Sequence, residues 1–151
     1  MSVTGDVTLW QDSHMKVSRL SVGGTETVGA VSIALAASST TDGMDITVTV
    51  QDAQGATIAD VFTLDLWMSE ASTGIGLTAD TYSGTLTAGT GAILDTHTAK
   101  KHFVVQTAAT GVFVGTLVDS ANPADQYVAV RHPLTGRNVV SAVSGTNWEG
   151  A

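Results

Sequence analysis

A chain of 151 residues fits one domain, and at this length folding buries about 70% of the unfolded surface, enough for an apolar core to hold the molecule by itself. There is no cysteine, which excludes disulfides, thiolate metal sites and cysteine nucleophiles. The net charge is −8 and the one basic cluster is Lys100-Lys101, so neither counterion release on a nucleic-acid backbone nor attraction to an anionic membrane has much to act through.

Charged residues make up 13% of the chain, against about 25% in an average domain. There are 16 glycines and 2 prolines, and Thr and Ser fill most polar positions, a composition suited to strands and tight turns. No run approaches the roughly 20 apolar residues of a membrane span. The opening "MSVTGDVTLW" lacks the charged and apolar regions of a secretory leader, so the expectation is a soluble protein made in the cytoplasm.

Residues 1 to about 22 contain Trp10, Met15 and Arg19 and no clear turn. They read as an arm. Trp is enriched at interface anchors, and an Arg adds charge-assisted bonds to a partner's oxygens, so these three are candidate interaction residues. The window "TVGAVSIALAASS" is Ala-rich, which favours helix, yet Val31, Ile33 and Leu35 alternate with small residues and predict a strand. Residues 1–38 are thus expected to form an arm with the first strand, and 39–151 the core domain.

From there the dominant period is two. Ile46, Val48 and Val50 share a face in "ITVTVQ", and Phe62, Leu64, Leu66 and Met68 share one in "FTLDLWMS". The alternation returns in "FVVQT" (Phe103, Val105) and in "VFVGTLV" (Val112, Val114, Thr116, Val118). β-Branched residues suit a half-buried pleated surface. Turns ending in glycine follow at 52–55, 108–111 and 133–136, where a positive φ closes a short connection. The stretch 70–101 is a long Gly/Thr-rich loop with one or two short strands at most. Loops of that length are usually functional or ordered by a partner. Three strand–turn–strand units predict an all-β fold, an antiparallel sandwich or barrel with Ig-like or related topology and an extended N-terminal arm.

Motifs for chemistry are sparse. His97 and His102 in "HTAKKH" are five apart, an odd offset that puts them on opposite faces of one continuous strand, and no HExxH is present. His14 and His132 stand apart from them. No GxSxG elbow marks a nucleophilic serine. Asp60, Asp65 and Glu70 could in principle supply paired carboxylates, but they read as outward polar positions beside a strand. "STGIGLTAD" and "TAGTGAIL" lack the Gly-Lys-Ser/Thr of a phosphate loop. "TTDGMD" and "QDAQG" lack the alternating ligands of a calcium loop. Arg131 and His132 end a strand before the turn at 133–136: one covers the sheet edge, the other caps the core. No catalytic residue, metal or cofactor is expected.

The order "ITVTVQDAQGATIADVFTLDLWMSEA", a Gly/Thr-rich middle, "HFVVQTAATGVFVGTLVDS" and "YVAVRHPLTGRNVVSAV" resembles small virion proteins of tailed bacteriophages, encoded near the major capsid protein. The similarity spans roughly residues 40–144, and "DAQG…LWMS", "TAATG" and "YVAVRHPLTGR" carry most of it. The resemblance implies a non-enzymatic structural protein of the particle. A head decoration or cement protein on the outer surface is favoured over a tail or head–tail joining component. Its implied partners are the major capsid protein or other virion proteins and further copies of itself, a trimer being favoured because shells offer three-fold positions. Two other classes stay open: a small hydrolase, which needs a pocket gathering His, Ser and Asp, and a carbohydrate- or host-binding module. The module would stack its ligand on Trp67, Tyr82 or Trp148, and needs two of them exposed on one surface.

Overall fold

The computed structural model describes residues 28–150, which form two antiparallel sheets packed as a sandwich. In chain order the strands are β1 (Ala30–Ala37), β2 (Gly43–Gln51), β3 (Thr63–Ser69), β4 (Thr87–Thr90), β5 (Ala92–Thr98), β6 (His102–Gln106), β7 (Val112–Val118), β8 (Gln126–Arg131) and β9 (Asn138–Val143). One sheet has the order β1-β2-β7-β4, the other β5-β6-β3-β8-β9. A three-residue 3-10 turn, Gly145–Asn147, is the helical element among the described residues. The all-β expectation therefore holds, and so does the strand read from the Ala-rich window, which is β1.

The core lies between the sheets, where inward positions of both interdigitate. Met44, Ile46, Val48 and Val50 of β2 face Leu64, Leu66 and Met68 of β3, Phe103 and Val105 of β6, and Val128 and Val130 of β8. Burying each such side chain contributes about 1.5–3 kcal/mol. Trp148 closes the core from the C-terminal side, its indole N–H donating to the Pro123 carbonyl at 2.8 Å. Along β7 the inward set is Phe113, Gly115 and Leu117, while the Val112 series lies on the outer face. Phenylalanine and leucine offer the larger apolar area, so they take the interior. Gly115 leaves room for the Leu86 side chain and the Phe113 ring, both of which would approach an added Cβ within 2.9 Å.

Of the three strand–turn–strand units, one stays within a sheet: the turn at 133–136 joins β8 to β9 as a hairpin. The turns at 52–55 and 108–111 lead from one sheet to the other, because β2 and β3, and likewise β6 and β7, belong to different sheets. Gly111 shows why a glycine ends the second arch. Its φ is 77°, and a Cβ there would lie 1.9 Å from the Ile58 carbonyl oxygen. The other hairpins are β1–β2 and β5–β6. Gly91 alone separates β4 from β5, tying the sheets together along one side, while β1 and β9 lie in contact along the other.

Candidate functional site

The outward positions of the five-stranded sheet carry an unusual set of side chains. Register places Trp67 of β3 beside His102 of β6 and Ala129 of β8, and Arg131 beside Asn138 of β9. Asp65 shares that face, two residues along β3 from Trp67. The segment following β3 folds back over part of it. The Trp67 indole N–H donates to the Gly74 carbonyl at 2.9 Å, and the Asn138 amide donates to the carbonyls of Thr73 and Gly74 at 3.2 and 3.1 Å. What stays uncovered is an open groove of about 350 Å³ with Asp65, His102 and Arg131 on its walls and Ile75 and Leu77 at its rim.

Its charges stand close without closing on one another. His102 Nε2 lies 3.7 Å from Asp65 Oδ1, and Arg131 Nε lies 3.9 Å from Asp65 Oδ2. Both separations exceed a hydrogen bond. Pairs this exposed are each worth less than about 1 kcal/mol. The Arg131 guanidinium lies over the Trp67 ring, 5.6 Å from its centroid, a cation–π contact that fixes the long side chain in place. Arg131 was expected to cover a sheet edge. β8 lies instead between β3 and β9, so the guanidinium projects from the middle of a sheet face.

His97 joins the cluster, with its ring centroid 5.0 Å from that of His102. The reading that set these residues on opposite faces assumed one continuous strand. The chain reverses between them: Lys101 N–H donates to the Thr98 carbonyl at 3.0 Å, and Lys100 takes a φ of 66°. A register shift at His97 re-aims its side chain, as β-bulges do. Among the described residues no three His, Asp or Glu side chains gather as metal ligands, and no serine lines the groove.

The two lysines of the basic cluster hold the long loop in place. Lys100 Nζ donates to the carbonyls of Tyr82 and Ser83 at 2.8 and 2.9 Å, and Lys101 Nζ to those of Thr78 and Ala79 at 3.0 and 3.1 Å. Glu70 accepts from the Ala79 N–H at 2.7 Å. Tyr82 runs into the core, where its hydroxyl donates to Gln126, whose amide in turn donates to Asp80. Burial pushes the Tyr82 phenol far above its ordinary value, and the Asp80 and Asp119 carboxylates push it the same way.

The aromatic candidates for stacking are all inside. Tyr82 is 0% exposed, Trp148 2% and Trp67 6%, so no two of them present a ring face on one surface. Trp10, Met15 and Arg19 lie outside the described residues. Asp65 lines the groove, whereas Glu70 lies past the end of β3 and accepts from the Ala79 N–H, so the groove lining carries one carboxylate and not a glycosidase pair. Asp52 spends one carboxylate oxygen on the N–H groups of Gln54 and Ala56, both at 2.9 Å, which makes "QDAQG" a self-capped turn. His132 is buried, as a residue set to cap the core would be, and its Nδ1 also accepts from the N–H groups of Leu134 and Thr135, both at 3.2 Å, so it caps the hairpin turn as well. Sequence reasoning missed the role of Asn138 and of the rim residues Ile75 and Leu77. Nothing in a Gly-rich loop says that it will fold back onto the preceding strand. No protein-family model, curated protein or solved structure matches this chain.

Proposed function

We propose that this chain is a structural protein of a tailed-phage particle, a decoration protein that stabilises the head by repeated, symmetric protein contacts. The observation that carries the reading is the make-up of one end of the sandwich. The three turns within the motifs that resemble phage virion proteins, at 52–55, 108–111 and 133–136, all lie there. Val50 N–H donates to the Gly111 carbonyl at 3.0 Å, the Thr107 hydroxyl to the Asp60 carbonyl at 3.1 Å, and the β3–β6 and β3–β8 registers bring the β8–β9 turn to the same end. Gly29 N–H donates to the Gln51 carbonyl at this end at 2.8 Å. Val61 and Leu134, 47% and 54% exposed, add large apolar side chains to it.

Such an end suits attachment. Asp52 is the one charged residue in the three turns and its carboxylate is already held by the Gln54 and Ala56 N–H groups, so they have little free charge to desolvate; exposed apolar residues supply the gain on burial, and many identical weak contacts sum by avidity. Binding to the assembled state stabilises it by mass action.

The test is addition of the purified protein to shells that lack it, with copy number and disruption temperature measured. Saturation at a symmetry-matched number and a raised disruption temperature are the expected result. The double variant Val61→Asp, Leu134→Asp should keep its cooperative melt and lose attachment. Binding along the tail alone would instead favour a tail or head–tail component.

A further inference from the structure

The groove on the outer face of the five-stranded sheet is lined by residues other than the exposed Val61 and Leu134. We propose that it is a binding site for a neutral, polyhydroxylated ligand, a mono- or disaccharide unit.

Three features lead there. The first is unspent hydrogen-bonding capacity. His102 Nε2 is shielded from solvent and has no hydrogen-bond partner, although a buried polar atom left this way costs about 1–3 kcal/mol. The Asp65 oxygens stand 3.7 and 3.9 Å from His102 Nε2 and Arg131 Nε, in place but too far for a hydrogen bond. Arg131 makes one long bond, from Nη1 to the Gly136 carbonyl at 3.5 Å, which leaves most of its donors open.

The second is charge. An anion entering the groove meets the Asp65 carboxylate, and a cation meets the Arg131 guanidinium, so either kind of ion is opposed by one wall. A neutral group that both donates and accepts is opposed by neither. Hydroxyls on adjacent carbons fit: one donates to Asp65 while its neighbour accepts from Arg131.

The third is the rim. Ile75 is 72% exposed and Leu77 42%, an apolar edge that the C–H face of a pyranose would cover. A groove of about 350 Å³ lies at the small end of the range for ligand sites and is right for one or two sugar rings. The buried Trp67 is no stacking platform here. It holds the Arg131 guanidinium from below and, through Gly74, anchors the loop that carries the rim.

The experiment is an NMR titration of the ¹⁵N-labelled protein with a panel of neutral mono- and disaccharides, with acetate and methylammonium as charged controls. The expected result is a saturable shift of the Trp67 indole and Gly76 amide signals with at least one sugar and none with either ion. Asp65→Asn, an isosteric change on the open face, should weaken that binding about tenfold or more, the loss expected for one hydrogen bond to a charged group. Leu77→Asp should weaken it too, while core resonances stay in place. Absence of a saturable shift across the panel, equal binding by the Asp65→Asn variant, or tighter binding of either ion would overturn the proposal. None of these outcomes depends on whether the protein attaches to a phage shell.

Discussion

The two sheets share a core and differ on their outer faces. On the four-stranded sheet the outward positions of β2 are Asp45, Thr47 and Thr49, each half-buried, with Asp45 accepting a 2.6 Å hydrogen bond from Thr116 of β7. That face is polar and stays partly exposed. On the five-stranded sheet the alternation breaks down. Leu66, Trp67, Met68 and Ser69 of β3 are all buried in succession, because the chain after β3 folds back and covers the outer positions. A strand with one wet face shows a clean period of two. A strand covered on both faces loses the period, and on the second face a sequence can collect side chains whose purpose is not the core.

The sharpest test of this contrast compares inner and outer positions within one strand. Phe113→Ala should cost about 3–5 kcal/mol, the range for removing a buried aromatic ring. Val112→Ala, one residue away on the outer face, should cost no more than about 1 kcal/mol. Denaturant midpoints at unchanged slope would measure both. Equal costs would mean that β7 is turned the other way, with the Val112 series inside.

The second test compares the two outer faces. Trp67→Ala removes the ring beneath Arg131 and the donor to Gly74, and should cost about 3 kcal/mol. Thr47→Ala, at an outward position of the bare sheet, should stay within about 0.5 kcal/mol. If the two losses were alike, the covered face would be no second core, and the loop would add nothing to stability.

How much of this was legible follows from the same contrast. Strands with one solvated face could be read directly: β2 and β6 alternate as written, and β1 showed through its Ala-rich sequence because Val31, Ile33 and Leu35 kept the period. β7 was legible as a strand but not in its facing, since Val112, Val114 and Val118 look as apolar as Phe113 and Leu117. Only packing around Gly115 decides between them. The β5–β6 hairpin was hidden because its turn contains no Gly, Pro, Asn or Asp. A lysine, Lys100, takes the left-handed conformation there at a cost that its two bonds to loop carbonyls help offset. The groove was hidden for that reason and one more: its walls come from β3, β6 and β8, and no local pattern brings Asp65, His102 and Arg131 together.

A smaller effect is expected at the hairpin that the sequence did reveal. His132→Ala takes the acceptor from two backbone N–H groups and should cost about 1–2 kcal/mol, as loss of a cap does. His132→Asn, which can still accept from the turn, should recover part of it in the same denaturation measurement. If Asn is as poor as Ala, the histidine contributes by filling space and the two hydrogen bonds are incidental.

The last effect concerns the loop that makes the two faces differ, and its signature is a change of slope in alkali. Tyr82 anchors that loop in the core, with a phenol held far above its ordinary value near 10 by burial and by the carboxylates of Asp80 and Asp119. In the unfolded chain the phenol ionises near pH 10, while in the folded protein it keeps its proton. Above that pH the unfolded state binds fewer protons than the folded one, so stability falls as pH rises. The stabilising term is complete below pH 10 and declines from there, by at most about 1.4 kcal/mol for each further unit from this one group. Tyr82→Phe removes the ionisation along with the hydrogen bond to Gln126. The variant should be less stable at pH 7, by about 1–3 kcal/mol for the partner left unpaired, and should lose less than the parent between pH 10 and 11. Both proteins carry the same ionisable groups apart from this phenol, so the difference in slope isolates the tyrosine. Parallel pH profiles would mean that the folded protein ionises Tyr82 as readily as the unfolded chain does, and that the loop's anchor is open to water.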